Sequence, residues 1–316
     1  MIIENFRFMC GINGFNFSNE QLISKMNELT RHRGPDETNF WLSENISFGH
    51  NRLSIIDLSE RGRQPMWDAA REVVIVFNGE IYNFKELKND LERKYQFISE
   101  SDTEVIIYAY KEWGIKCLEK LNGIFALAIW DTRSQELFLA RDRVGVNPLY
   151  YYHDGQRLIF SSEIKAILAH GIPREIDFDA FNLYFQLLYT PEPFTMFKGI
   201  KKLPPASYLH FKNNRLAIQK YWEVTDFTDV TSKAETIRNI KDLFLDSARR
   251  QLISDRPVGI FLSGGIDSTA VLGAVNKFHD GKIKTFSVGF KDSLDPDKFN
   301  ADFYLARETA KTYQTD

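Results

Sequence analysis

The order of elements along the chain predicts an α+β protein in which two stacked sheets covered by helices precede the opening of a parallel α/β domain. Consecutive antiparallel strands are predicted between residues 124 and 161, with helices grouped before and after them, which favours the stacked sheets. A strand, loop, helix and strand follow one another between residues 258 and 290, as at the start of a doubly wound parallel sheet. The 316 residues are enough for two domains.

The first half combines two helix patterns with a series of strands. A capping-box pattern at residues 18–21 predicts a helix that ends near residues 34–35 and has an apolar face made of Leu22, Ile23, Met26 and Leu29. The β-branched run 73–77 predicts a buried strand that delivers Asn78 and Gly79 to its end, where sites are often built. A helix is predicted at 105–113, and strands at 124–130, 136–141, 148–153 and 157–161.

The second half begins with a predicted helix at 177–188 and a hairpin formed by residues 206–211 and 216–221. A polar stretch at 223–231 then predicts a domain linker. A second capping box at Ser232–Glu235 opens a helix with an apolar stripe of Ile237, Ile240, Phe244 and Ala248. The remaining predicted elements are a strand at 258–262, a loop at 263–268, a helix at 269–277 and a strand at 284–290.

Composition excludes several classes of protein. The hydrophobic content of 43% is ample for packed cores, and a net charge of -3 with a pI near 6.1 gives no basic field for nucleic acid. No apolar run approaches the ~20 residues of a membrane span and no signal-peptide layout opens the chain, so we predict a cytoplasmic protein without a membrane partner. Two cysteines cannot build a disulfide framework, and the six histidines lack metal-ligand spacing.

The stretch Met9–Ile12 contains the candidate nucleophile, Cys10. A cysteine needs a base to become a thiolate, and a cysteine at the start of a chain carries one in its own α-amino group. Most free cysteines are instead small buried hydrophobes, and Cys10 taken alone favours that interpretation. We expect the same inert role for Cys117, which lies beside a predicted helix end.

Polar clusters further along the chain change this balance; they are Arg31–Glu37, Gly49–Asp57, Phe77–Asn83, Ser101–Ile106, Leu121–Asp131, Ala140–Tyr150, Ser161–Lys165 and Ser263–Ser268. With these clusters the chain resembles the glutamine-hydrolysing asparagine synthetase family from Met9 to its last residue. The resemblance implies an α-β-β-α sandwich of the N-terminal-nucleophile hydrolase type that releases ammonia from glutamine. It also implies an ATP-pyrophosphatase-type synthetase domain that couples the ammonia to a carboxylate.

The implied domains are an N-terminal extension at 1–9 that is absent from the mature protein, a glutaminase domain at 10–222, a linker at 223–231 and an incomplete synthetase domain at 232–316. Only 49 residues follow Asp267, too few for several further strand-helix units of ~30 residues each. We therefore expect the chain to be a fragment or a truncated product.

The resemblance also implies roles for residues of the glutaminase half. Cys10 is the nucleophile, and the Asn78 side chain with the Gly79 backbone N–H stabilises the oxyanion. Without the resemblance, Asn78 and Gly79 favour a plain turn. The other implied glutamine-binding residues contact either the carboxylate or the ammonium group of glutamine.

Arg52 matches the family's fork for the glutamine carboxylate, a task suited to a planar bidentate donor. Glu80 and Asp102 match the positions that face the ammonium group, and the backbone carbonyls of Leu53 and Ile55 complete the pocket. Taken alone, the charged residues favour surface ion pairs.

Residues Ser263–Ser268 differ from a Walker loop because no Gly-Lys-Ser/Thr follows. Small residues let backbone N–H groups approach phosphate oxygens, and the start of a helix adds the positive end of its dipole. The resemblance implies that the loop holds the pyrophosphate of ATP, with Asp267 placed to hold Mg²⁺. The implied ATP-binding set is Leu262, Ser263, Gly264, Gly265, Asp267, Ser268 and Val288.

The position of the thiol leaves three interpretations open. If translation starts at Met1, Cys10 has no α-amino group. Met9 is then the true start, a pro-segment is removed, or this glutaminase is inactive; we favour the first.

The expected activity is glutamine hydrolysis with transfer of ammonia to an ATP-activated carboxylate, in the first place aspartate, giving asparagine, AMP and pyrophosphate. Amidation of a sugar acid in polysaccharide assembly and a non-catalytic glutamine-binding remnant remain alternatives, and a homodimer is left open. The expected ligands are thus glutamine, a carboxylate and ATP with Mg²⁺.

Overall fold

The computed structural model describes residues 9–225, 232–279, 281–291 and 300–316. The chain divides into two compact units, residues 1–225 and 226–316, here called the N-terminal and C-terminal units. Most of the predicted extension and most of the predicted linker, residues 1–8 and 226–231, lie outside the described residues. None of the described helices combines the length and the apolar character that crossing a bilayer requires.

The N-terminal unit contains two six-stranded sheets. Its strands are β1 (Gly11–Phe15), β2 (Glu37–Ser43), β3 (Ile46–Arg52), β4 (Met66–Trp67), β5 (Val73–Ile81), β6 (Gly123–Asp131), β7 (Glu136–Arg141), β8 (Tyr150–His153), β9 (Leu158–Ser161), β10 (Ile200–Lys202), β11 (Ser207–Lys212) and β12 (Arg215–Lys220). Its α-helices are α1 (Glu20–Thr30), α2 (Phe84–Leu91), α3 (Asp102–Trp113), α4 (Cys117–Lys120), α5 (Ile164–Leu168) and α6 (Phe178–Leu187). The sheets run β10-β8-β9-β1-β3-β2 and β12-β11-β7-β6-β5-β4, with antiparallel neighbours throughout.

The two sheets face each other across one apolar core. Ile12, Phe48 and Phe160 of the first sheet belong to the same buried cluster as Val76 and Leu139 of the second. Helices α1 and α5 pack on the outer face of the first sheet, while α3 lies against β5 of the second. The unit is therefore an α-β-β-α sandwich, and the predicted α+β class is confirmed.

Two helix starts in the N-terminal unit differ from the prediction. The N-cap of α1 is Asn19 and not Ser18, because Asn19 Oδ1 accepts the Leu22 N–H at 2.9 Å, and the helix ends at Thr30, before the Gly-Pro pair. Helix α3 begins at Asp102, three residues before the predicted start, with Ser101 Oγ capping it. The apolar pattern missed this first turn because it is polar.

Strand β3 was not predicted, because its seven residues are all buried although several are polar. Asn51 Nδ2 donates to the Asn27 carbonyl at 2.9 Å and to Thr30 Oγ1 at 2.8 Å, so α1 satisfies this amide. Asn13 of β1 donates to the side chains of the same two residues. Burial of a polar group that is hydrogen-bonded in this way costs little free energy. The strand can therefore be buried without the alternation of polar and apolar residues that would have predicted it.

The C-terminal unit contains α7 (Lys233–Arg250), β13 (Gly259–Phe261), α8 (Ile266–Val275), β14 (Lys284–Phe286) and α9 (Ala301–Thr312). Strands β13 and β14 are parallel, as predicted for the opening of a doubly wound sheet. Ser232 caps α7, since its Oγ accepts the Glu235 N–H at 3.3 Å. Both strands are shorter than predicted, and α8 begins at Ile266, so the second half of Ser263–Ser268 is helical and not loop.

Three of the four residues of the predicted apolar stripe of α7 are exposed, and Ala248 is half-buried. Ile237 and Ile240 are 57% and 62% exposed, and Phe244 is 41% exposed. The core of the unit is instead made of Ile260, Leu262, Leu272, Val275, Ile283 and Ala306.

Candidate active site

A cavity of about 250 Å³ lies in the N-terminal unit where several elements converge. Its wall takes residues from the segment just before β1, the end of β3, the second half of β5 and the first turn of α3. All eight residues expected for glutamine binding and hydrolysis line it: Cys10, Arg52, Leu53, Ile55, Asn78, Gly79, Glu80 and Asp102. The wall also contains residues for which the sequence predicted no role, among them Gln64, Phe77, Thr103, Ile124, Val146 and Asn147.

Cys10 lies immediately before β1, which is paired on both sides. Its Sγ accepts the Leu53 N–H at 3.3 Å and lies 3.6 Å from the Leu53 carbonyl oxygen, while Arg33 Nε donates to the Cys10 carbonyl at 3.0 Å. Burial raises the pKa of the Cys10 thiol to about 11, so the sulfur is protonated at neutral pH. The hydrogen bonds described for this sulfur go to backbone groups, and none goes to a side-chain base.

Arg52 ends β3 and is only 5% exposed. Its guanidinium donates to the Ser59 carbonyl at 2.9 Å and to the Asp57 carbonyl, and it lies 3.7 Å from a Glu37 carboxylate oxygen. Gly62 leaves the space for this group, because an added Cβ would overlap the guanidinium. Backbone oxygens therefore hold a buried cation at the cavity wall.

Two acids face the cavity together. Burial, and then the nearby charge of Asp102, raise the pKa of Glu80 to about 7. Burial raises the pKa of Asp102 to about 6, although Asp102 Oδ2 accepts the Ile81 N–H at 3.0 Å. Two buried carboxyls that repel each other release their protons more readily when a cation binds between them.

Asn78 presents a buried hydrogen-bond donor without a partner. Its residue is 1% exposed, and its Nδ2 has no acceptor among the described residues. Its backbone carbonyl accepts Asn147 Nδ2 at 2.8 Å. Leaving a buried N–H unpaired costs about 1–3 kcal/mol, so an unpaired donor beside a cavity indicates a ligand oxygen as its partner.

The backbone of β5 offers a second donor beside the first. Phe77 and Ile81 donate their N–H groups to the side chains of Gln64, at 2.6 Å, and Asp102, at 3.0 Å. N–H directions alternate along a strand, so Gly79, midway between them, directs its N–H toward the same edge. A side chain at this position would overlap the Ile124 carbonyl of β6. The cavity thus combines a sulfur, two N–H donors, a cation and two acids, which suits a zwitterionic substrate with a carbonyl group.

The loop Ser263–Ser268 lies in the C-terminal unit at the end of β13. Ser263 and Ser268 bring their Oγ atoms to 2.9 Å, and Ser268 Oγ also accepts the Ser263 N–H at 3.2 Å. An added Cβ on Gly264 would lie 2.8 Å from the Asp302 Cα of α9, so only glycine fits there without a shift. Helix α8 begins within this stretch, at Ile266, and its first N–H groups have no carbonyl one turn earlier within the helix.

The other expected ATP-binding residues take different positions. Asp267 is in the first turn of α8, and Val288 follows β14 and is 75% exposed. The Leu262 side chain is buried in the core of the unit, and its N–H donates to the Phe286 carbonyl at 2.8 Å. Among the described residues no group of three or more His, Cys, Asp or Glu side chains could hold a metal ion.

Comparison with known proteins gives one family match in each of the two units. Residues 9–222 match the family model of the glutamine amidotransferase domain, and residues 239–316 match that of asparagine synthase. The chain is 40% identical over 300 residues to asparagine synthetase [glutamine-hydrolyzing] 3 of Bacillus subtilis, covering 90% of this chain and 49% of the relative. It is also 40% identical over 317 residues to putative asparagine synthetase [glutamine-hydrolyzing] 2 of Methanocaldococcus jannaschii, covering 91% of this chain and 61% of the relative.

Among solved structures, the glutamine phosphoribosylpyrophosphate amidotransferase of B. subtilis superposes with a TM-score of 0.53. The match covers 89% of this chain and 67% of that one at 15% identity, so it establishes a shared fold. The chain spans about half to three fifths of the length of the two curated relatives. From these matches, the chain belongs to the glutamine amidotransferase domain family over residues 9–222, and its residues 239–316 are similar to asparagine synthase.

Proposed function

We propose that the N-terminal unit hydrolyses glutamine to glutamate and ammonia, with Cys10 as the nucleophile. The observation that carries this proposal is the cavity in which the Cys10 sulfur, the unpaired Asn78 amide, Arg52 and the two acids share one wall. The domain is proposed to run over residues 10–222, followed by the linker at 223–231 and the synthetase part at 232–316.

Each charge of glutamine has a counterpart in the cavity. Arg52 binds the α-carboxylate, and Glu80 with Asp102 binds the α-ammonium group, which in turn favours the ionised acids. The backbone oxygens of Leu53 and Ile55 accept the remaining ammonium protons. A substrate fixed at both charges presents its carboxamide to the sulfur, which supplies the orientation that catalysis requires.

The reaction proceeds through a thioester. The Cys10 α-amine accepts the thiol proton, the sulfur adds to the amide carbon, and the oxyanion is stabilised by Asn78 Nδ2 and the Gly79 N–H. The carbon–nitrogen bond then breaks, and the leaving nitrogen takes the proton from the amine and departs as ammonia. Water adds to the thioester, the carbon–sulfur bond breaks, and glutamate leaves while the thiol regains its proton.

The free α-amine is essential to this proposal. A thiol whose pKa burial raises to about 11 is almost wholly protonated at pH 7, and its described hydrogen bonds go to backbone groups. Either translation from Met9 with loss of that methionine or removal of a pro-segment would provide the amine. In a chain that keeps residues 1–9, Cys10 has none.

We further propose that the C-terminal unit belongs to a synthetase that activates a carboxylate with ATP and amidates it with the released ammonia. The residues fit a pyrophosphate group, because the first turn of α8 offers N–H donors beside Ser263, Gly265 and Ser268. Leu262 precedes this loop in the chain, and Val288 follows β14, the strand that pairs with β13. Mg²⁺ would be held by Asp267 with the phosphates and would neutralise the charge of the leaving pyrophosphate.

Aspartate is the acceptor that we propose, giving asparagine, AMP and pyrophosphate through an acyl-adenylate. The names of the curated relatives support this choice, while a sugar acid remains the second candidate. A homodimer and a cytoplasmic location stay predictions.

The test compares two forms of the full chain, one whose first residue is Cys10 and one that keeps residues 1–9. Intact-mass measurement establishes the first residue, and ammonia release from glutamine is followed for both. Release by the Cys10 form alone is the expected result. Absence of release from the Cys10 form would overturn the proposal and favour the glutamine-binding remnant, while equal release by both forms would show that the base is not the α-amine.

A further inference from the structure

Asn147 is a fully buried residue of the cavity wall, although the sequence predicted no role for it. Its Nδ2 donates to the Asn78 carbonyl at 2.8 Å. Because a carbonyl oxygen only accepts, this bond fixes which end of the Asn147 amide is nitrogen. Its Oδ1 is buried and has no hydrogen-bond partner among the described residues.

The backbone around Asn147 is anchored by buried charged groups. Its N–H donates to Asp142 Oδ2 at 3.2 Å, and its carbonyl accepts Arg141 Nε at 2.6 Å. Arg141 is 1% exposed and is itself held by the Leu203 carbonyl at 2.7 Å and by Glu192 at 2.6 Å. The unpaired Oδ1 is therefore attached to a rigid part of the molecule.

Two neighbouring asparagines thus leave complementary atoms unpaired at one cavity. Asn78 offers a donor and Asn147 an acceptor, and the hydrogen bond between the two residues keeps them adjacent. A primary carboxamide carries one acceptor oxygen and an NH₂ donor, so it satisfies both atoms at once. A carboxylate or an ester has no proton for Asn147 Oδ1 and leaves this acceptor unpaired.

We propose that Asn147 determines specificity for a primary carboxamide, with its Oδ1 accepting an N–H of the substrate amide while Asn78 donates to the carbonyl oxygen. This inference rests on the proposed glutaminase function and deepens it. The same acceptor disfavours the product carboxylate, so it also aids release of glutamate. Sites that hydrogen-bond a substrate group discriminate strongly against analogues that lack it, since a buried polar atom is then left unpaired.

The test measures hydrolysis of glutamine and of glutamate γ-methyl ester by the full chain in the form that begins with Cys10. Both substrates form the same thioester, and only the leaving group differs. Substitution Asn147→Leu removes the acceptor with little change in volume. We expect kcat/KM for glutamine to fall roughly tenfold relative to kcat/KM for the ester, the effect of one hydrogen bond.

The ratio of the two kcat/KM values does not depend on the fraction of folded protein, so partial misfolding does not obscure the result. Asn147→Ala gives the same ratio if the leucine variant does not fold. Asn45→Leu, at an exposed residue whose amide pairs with Gln135, is the matched control and should leave the ratio unchanged. Asn78→Ala should lower both rates, because both substrates develop an oxyanion.

An unchanged ratio in the Asn147 variants, with both rates lowered equally, would overturn the specificity role and leave Asn147 as support for Asn78. A wild-type enzyme that hydrolyses neither substrate would instead overturn the glutaminase proposal, and this inference would fail with it.

Discussion

The cavity around Cys10 and the loop Ser263–Ser268 are both expected sites, but the chain builds them differently. The cavity draws on seven segments of the chain, and its main polar residues Arg52, Asn78 and Asp102 are at most 5% exposed. The loop lies at the end of a strand of a two-stranded sheet, Ser263 is exposed and Ser268 is half-buried, and a side-chain bond connects the two serines. The cavity is therefore formed by buried polar and charged side chains, whereas the loop is formed mainly by its backbone.

This difference determines what each region can do with the residues described. In the cavity, burial shifts the pKa of Cys10, Glu80 and Asp102 and leaves two amide atoms without partners. Both effects are typical of a site that awaits a charged, polar ligand. The loop offers N–H donors at the start of α8, which suit a phosphate group but specify little else.

The largest expected effect separates the two cysteines. Cys10→Ala should reduce glutamine hydrolysis below detection, because no other described group on the cavity wall is a thiol. Cys117→Ala is the matched control, since Cys117 is fully buried and burial raises its pKa to about 12. Ammonia release is measured for both variants, and activity that survives Cys10→Ala would contradict the assignment of the nucleophile.

A smaller but still large effect should follow loss of the oxyanion donor. Asn78→Ala should lower kcat by about 10² to 10³, because the unpaired Nδ2 meets the charge that develops on the substrate oxygen. KM should change much less. Asn122→Ala, at an exposed residue, should leave both constants near wild type. Steady-state kinetics decides, and a change confined to KM would place Asn78 in substrate binding alone.

The pair of acids predicts a pH-dependent affinity for glutamine. Glu80 has a pKa near 7 and Asp102 near 6, so both lose their charge as the pH falls from 8 to 5. The α-ammonium group then loses its partners, and KM should rise by up to roughly tenfold per pH unit between the two values and more steeply below both. In Glu80→Gln the rise should begin at lower pH. A KM that stays constant from pH 8 to 5 would exclude this role for the acids.

In the absence of ligand, the ionised Glu80 should lower the free energy of unfolding. The pKa of Glu80 is about 7 in the folded state against 4.5 for the ordinary group, so the folded state holds this proton more tightly. Stability from this group is complete below pH 4.5 and is lost as the pH rises to 7. Glu80→Gln should therefore be more stable than wild type at pH 8, on the order of 1–3 kcal/mol. Urea unfolding at pH 4 and 8 measures the difference, which should vanish at pH 4.

The smallest expected effect is on the stability of the C-terminal unit, where two neighbouring glycines can be compared. Gly264→Ala should destabilise this unit by about 1–3 kcal/mol, because its Cβ would meet the backbone of α9. Gly265→Ala should be nearly neutral there, since the nearest atom is the Ser263 hydroxyl at 3.3 Å. Hydrogen exchange of residues 301–312 compares the two variants. Equal hydrogen-exchange protection of α9 in the two variants would show that the contact between Gly264 and α9 does not require a glycine.

Apolar periodicity could predict the elements whose buried faces are apolar, such as β5 and α1. It could not predict β3, because Asn51 is buried by pairing with α1, which lies elsewhere in the sequence. It also missed the first turn of α3, where Asp102 directs an oxygen to the Ile81 N–H of another element. Residues that serve a site break the pattern that identifies a core.

The eight glutaminase residues named from family resemblance line one cavity, but the role that we propose for Asn147 could be inferred only from the three-dimensional structure. Asn147 lies in the cluster Ala140–Tyr150, and that cluster is the one sequence signal that could have drawn attention to it. Its unpaired Oδ1 depends on a bond to Asn78, 69 positions away, which no local pattern encodes.

Strand β1 begins at Gly11, one residue after the sulfur, and is paired with β3 and β9. Cleavage of the Met9–Cys10 peptide bond would therefore sever no rung of either ladder. Among the described backbone hydrogen bonds, it would separate only the Met9 N–H bond to the Arg33 carbonyl from the rest of the chain. The new α-amine would then form beside a thiol that folding has already positioned, without any rearrangement of the sheet.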